Sequence, residues 1–153
     1  MMDMEERRLT MRLRKYWDLV RKTQPVPDYS QFNSGTIDDI WPYCFVVSVD
    51  AAGEQSADGN HTYKYVYIGR PIITMYGRDF TGQTLTQGMK HFMGGHVFDK
   101  LQVVTSKCEP LEDTGHIVNQ QGKMLKYRAC YLPFGREANA LTHIVVGLTY
   151  RVF

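Results

Sequence analysis

The stretch Thr62–Leu85, TYKYVYIGRPIITMYGRDFTGQTL, decides the fold. Tyr63, Tyr65 and Tyr67 alternate with Lys64 and Val66, a period of two that predicts a half-buried strand, and Gly69 ends it. Pro71 can open a helix, because a residue in the first turn has no intrahelical use for the N–H that proline lacks. Ile72, Ile73, Met75 and Tyr76 then put apolar mass on one or two short turns, and Gly77 stops them. Asp79 and Thr81 can cap the next turn, and Gly82 gives the backbone freedom to leave it.

Outward from this core, Tyr43–Val49 is an almost continuous apolar run, as a buried strand should be. It is predicted to pair antiparallel with Thr62–Ile68 across Ala51–His61, a surface hairpin loop rich in Gly, Ser, Asp and Asn. Asp28–Ile40 reads as a connector with a short helical turn near Thr36. Met1–Gln24 predicts an amphipathic helix with Leu9, Leu13, Tyr16, Trp17 and Val20 on one side and arginine and lysine on most of the rest. Pro25 and Pro27 terminate it. Downstream, Thr84–Met93 is helix-prone but interrupted by Gly88 and broken by Gly94–Gly95. The main second-half helix is expected over His96–Lys107, with Pro110 beyond its end. Strands are predicted at His116–Val118 and Lys123–Leu132 around the turn Asn119–Gly122, then a loop over Pro133–Thr142. The final strand is His143–Phe153, with Ile144, Val146, Leu148, Tyr150 and Val152 on one face. This order predicts an α+β domain: a five-stranded antiparallel sheet with helices on one face and an N-terminal flanking helix. The division is residues 1–24 for that helix and 25–153 for the domain.

The 153 residues suffice for one domain with a real core, and a formal net charge of +2 points to no polyanionic partner. Cys44, Cys108 and Cys130 are odd in number and lack metal-ligand or redox spacing, which suits free thiols in a reducing, cytoplasmic setting. No basic-then-apolar leader and no membrane-length apolar run is present. The basic N-terminal helix offers a nucleic-acid-binding alternative, but Asp3, Glu5, Glu6 and Asp18 dilute its charge and no stacking platform interrupts it. No catalytic motif occurs, so no enzyme is expected. His61, His91, His96, His116 and His143 are scattered, and Glu109, Glu112 and Asp113 read as capping or solvated carboxylates.

YGRDFTG over Tyr76–Gly82 resembles the G-x-D-[LF]-T-G element of the PAS domain family, in its compact bacterial, alphaproteobacterial-type subgroup. Arg14–Lys15–Tyr16–Trp17 is similar to the end of that subgroup's basic first helix, and Pro27–Asp28–Tyr29–x–x–Phe32 to the stretch after it. The resemblance implies the PAS fold and a stand-alone, non-enzymatic sensory or adaptor module. Its output would be another protein, such as a sensor kinase or cyclase, since 153 residues leave no room for a fused one. It also implies a small-molecule pocket between helices and sheet. Met75, Tyr76, Met89, Phe92, Met93, Phe98 and Leu101 are the helix-side candidates, and Tyr127, Tyr131 and Val146 the sheet-side ones. Flavin photochemistry of the light-sensing relatives needs a cysteine where this sequence has Phe80. Haem is the cofactor alternative, with His96, or His91 upstream, as ligand; no cofactor is the expectation. The stripe Leu9, Leu13, Tyr16 and Trp17 is expected to pack on the open sheet face or on a second copy, the latter giving a homodimer.

Overall fold

The computed structural model describes residues 2–50, 61–85, 94–118, 122–136 and 140–152. The predicted N-terminal helix is α1 (Met2–Arg21), closed by Lys22 in the left-handed region at φ 55°. Three short 3-10 turns follow, at Tyr29–Gln31, Ser34–Ile37 and Trp41–Tyr43. Next come β1 (Cys44–Asp50), β2 (Thr62–Ile68) and α2 (Arg70–Tyr76), which ends on Gly77 at φ 86°. Then come β3 (Thr84–Leu85), α3 (Gly94–Lys107), β4 (Leu111–Val118), β5 (Met124–Gly135) and β6 (Leu141–Val152).

The sheet is antiparallel in the order β3-β2-β1-β6-β5-β4, with six strands where the sequence suggested five. The extra one is β3, read from sequence as the start of a helix-prone region. Asp79 Oδ1 accepts from the Thr81 N–H at 2.9 Å, and Gly82 donates to the Tyr65 carbonyl at 2.8 Å. That turn lays Thr84 and Leu85 along the β2 edge, a strand too short to carry a period. The loop expected over Pro133–Thr142 is also partly strand. β4 leaves β5 beyond Tyr131, so Pro133 lies where β5 has only β6 beside it, and its missing N–H breaks no ladder there.

The sheet is covered on both faces. α2 and α3 pack on one, with Phe45, Val47, Tyr65, Leu101, Tyr131 and Val146 in their core. α1 covers the other, where Leu9, Leu13 and Trp17 pack with Cys44, Val46, Cys130, Leu132 and Val145. Gly147 makes this possible: a Cβ there would sit 2.6 Å from Leu13 Cδ2 and 3.0 Å from Leu9 Cδ2. The Trp17 indole donates to the Pro133 carbonyl at 2.8 Å. Of the two ways of burying the stripe, the chain uses its own sheet. Leu9, Leu13 and Trp17 are 6%, 1% and 3% exposed, and the half-buried Tyr16 packs edge-on against Phe32, which leaves this stripe little area for a second copy.

The tyrosine alternation in β2 breaks at one point. Val46 pairs with Tyr67 but Val47 pairs with Tyr65, so Val66 is an extra residue in a β-bulge. Tyr63 and Tyr65 therefore face α3, whereas Tyr67 turns to the α1 face and stacks on Trp41 at 4.3 Å.

Candidate functional site

The expected pocket residues that fall within the described chain come together between the helices and the sheet. Tyr76 from α2, Phe98 and Leu101 from α3, Tyr127 and Tyr131 from β5 and Val146 from β6 are all buried in one cluster, with Met75 packed against it. Period two on β5 brings Tyr127 and Tyr131 to the helix side, as expected. Met89, Phe92 and Met93, like His91, lie outside the described residues.

What organises this interior is a set of phenols. The Tyr65 and Tyr76 hydroxyls are 3.3 Å apart. Burial pushes Tyr65 up to about 12, and it holds Tyr76 well above the ordinary phenol range, with Tyr65 adding to the effect. Tyr131 is 1% exposed. Burial, then the charge of Asp113, keeps it protonated.

At the rim stands a polar cluster that spacing did not disclose. The Tyr127 hydroxyl donates to Asp113 Oδ2 at 2.9 Å, and His96 Nε2 lies 2.7 Å from that oxygen and 2.5 Å from the hydroxyl. Lys100 Nζ approaches the other carboxylate oxygen at 3.8 Å. Asp113, read from sequence as solvated, points inward with its side chain 11% exposed. The available signal was LEDTGHIV over Leu111–Val118, in which Asp113 shares the inner face with Leu111 and Ile117. Gly115 is the space that lets the Tyr127 ring lie across β4, since a Cβ would stand 2.8 Å from its hydroxyl. Burial, reinforced by the hydrogen bond to Asp113, raises the Tyr127 pKa. A phenol so held is a donor rather than a base, and the cluster ties the start of α3 to β4 and β5.

Two positions considered for cofactor chemistry, Phe80 and His96, are otherwise engaged. Phe80, at the position of the reactive cysteine in flavin photosensors, is buried against Tyr65 and Tyr76. His96 Nε2 is already shared between Asp113 and Tyr127, and a metal would have to break both contacts. Among the described residues no group of three or more metal-ligating side chains forms, and no helix is long and apolar enough to cross a membrane.

The structure is an antiparallel sheet with a connecting strand–helix–loop and an apolar, phenol-lined interior under α3. A family model described as "PAS domain" matches residues 5–149, and the chain belongs to the PAS family. Solved structures similar to it include the dark structure of the blue-light photoreceptor Aureochrome1 LOV domain, at 15% identity over 82% of this chain and 85% of that one, with a TM-score of 0.50. A light-oxygen-voltage domain studied with a flavin analogue matches at 10% identity over 80% and 87%, with a TM-score of 0.50. The LOV domain of a blue-light activated histidine kinase from Erythrobacter litoralis matches at 17% identity over 71% and 96%, with a TM-score of 0.46. At these identities the likeness is one of fold. Comparison with curated proteins gives no match.

Proposed function

We propose that this PAS domain is a non-catalytic sensor that takes a small molecule between α3 and the sheet and passes its state to a signalling protein. The observation that carries the reading is the interior under α3, where the buried phenols of Tyr65, Tyr76, Tyr127 and Tyr131 stand among apolar side chains of both helices and the sheet. A ligand with an apolar body and one polar group for a phenol would suit such an interior. The non-catalytic part rests on the phenols: Tyr65, Tyr76, Tyr127 and Tyr131 are all held protonated by burial, so none is poised as base or nucleophile. Output through a signalling protein is supported by membership of the PAS family.

The test is a native mass spectrum of the protein purified from its own host, beside the Tyr131→Phe variant. A bound small molecule is expected in the first and its retention reduced about tenfold in the second, the loss of one hydrogen bond from a dry site. A mass equal to the bare chain in both proteins would overturn the ligand reading.

A further inference from the structure

On the other side of the molecule an open groove of about 640 Å³ separates α1 from the turn after α3. Arg14, Trp17 and Arg21 line it from α1, Pro25 and Val26 from the segment after α1, and Lys107 and Pro110 from the end of α3 and the turn beyond. Both guanidiniums sit 5.4 Å from the Trp17 ring centroid, so the indole is capped by charge and only 3% exposed. Arg21 is already committed, donating to Asp18 at 2.8 Å and to the Gln24 carbonyl at 3.2 Å. Arg14 is not: its nearest carboxylate contact is Asp18 at 3.5 Å, and its buried Nε makes no hydrogen bond. The Lys107 side chain, also in the lining, makes no ion pair or hydrogen bond among the described residues. Two under-used cations thus line one groove together with proline and valine side chains.

We propose that this groove docks an acidic peptide segment of the protein partner, with carboxylates set on Arg14 and Lys107 and an apolar side chain on Pro25, Val26 and Pro110. The proposal rests on the reading that output passes to a protein. Three features choose this occupant. The sealed indole offers no face on which a base could stack, which removes the usual anchor of single-stranded nucleic acid. Glu109 in the lining and Asp18 beside it repel a uniform polyanion but tolerate spaced carboxylates. The groove is too open to enclose a small ligand, whereas an extended chain gains from several partial contacts along it. The position is informative too, because Lys107 is the last residue of α3, the helix that covers the phenol-lined interior.

The test is amide NMR of the full chain titrated to millimolar concentration with a synthetic peptide of repeated Glu-Leu-Glu-Pro units. Shifts are expected at residues 14–26 and 107–110, weakened at least ~tenfold by Lys107→Glu and by Arg14→Gln and suppressed by high salt. A Lys-Leu-Lys-Pro peptide should leave those signals in place. No shift at these residues, or shifts that persist in both variants, overturns the groove. Equal shifts there from citrate or from a single-stranded oligonucleotide also overturn it, assigning the site to small carboxylates or to nucleic acid. Peptide shifts confined to another surface would sink the groove and leave the protein-output reading standing. The ligand reading is decided separately by the mass spectrum.

Discussion

His143 lies with its ring flat against Tyr29, centroids 3.6 Å apart and planes 9° apart, and its Nδ1 is 2.9 Å from the Thr142 hydroxyl. Burial first, and the charge of Arg136 second, lower its pKa, so the folded state prefers the neutral ring. The unfolded chain takes up the proton first. This contribution to stability is therefore present above ~6.5, the unperturbed value, and lost as pH falls through the lower folded one. The urea midpoint should drop between neutral and mildly acidic pH, and His143→Gln should flatten that drop. An unchanged slope would remove His143 as its source. The thiols separate in the same way. Cys44 and Cys130 are buried and both pushed up to about 12, chiefly by burial, while Cys108 is only half-buried. A thiol reagent should modify one cysteine in the native protein and all three after unfolding. A native count above one would contradict the burial of the other two.

At the scale of elements, the predictions concern what holds each helix on the sheet. Leu13→Ala removes the side chain that fills the space over Gly147, and a cost of about 2–5 kcal/mol is expected in urea unfolding. The tie at α3 is tested by Gly115→Ala, which pushes the Tyr127 hydroxyl away from Asp113 and His96 at a cost of about 1–3 kcal/mol. Faster hydrogen exchange should follow in the first turns of α3 and not in α1; uniform acceleration would mean that the cluster is not local. Elements of this size were mostly legible. Pro71 and Gly77 mark the limits of α2 because each acts on its own backbone. Where pairing with a neighbour decides, the signal fades. β3 exists because of the β2 edge, and β5 runs through Pro133 because of where β4 stops. The bulge at Val66 sends Tyr67 to the face that simple alternation denies it.

For the molecule as a whole, two cores share one sheet, and adjacent residues of β5 serve them in turn. Tyr127, Ala129 and Tyr131 face α3, while Cys130, Leu132 and Phe134 face the α1 side. Deleting residues through Val20 would bare that second face and is expected to give aggregation rather than a soluble monomer. A soluble, folded truncation would show that α1 is dispensable. The basic surface of α1, which first suggested nucleic acid, is partly answered from within, by Arg12 on Asp39 and by Arg21 on Asp18. With Phe80 in the core and His96 Nε2 engaged, the protein is expected to be colourless when expressed with ample haem and flavin. A Soret band that disappears in His96→Ala would overturn this. The apolar liners of the candidate site could be read from periodicity, since Tyr127, Tyr131 and Val146 each follow their strand. Asp113 was missed because its role depends on His96, 17 positions away, and on the gap that Gly115 leaves.

The bulge at Val66 also bears on heredity. Losing one codon from inside a strand ordinarily turns every later side chain to the wrong face. Here Tyr65 faces inward, Tyr67 outward and Ile68 inward again, so removing Val66 would restore an unbroken alternation with all its neighbours still on their present sides. An in-frame deletion of that codon should yield a folded protein with a urea midpoint close to the parent's. Deletion of Lys64, two positions earlier, should not, because it would put Tyr63 and Tyr65 on opposite faces. This strand can therefore shorten by one residue without exchanging its two surfaces, at one position and in one direction.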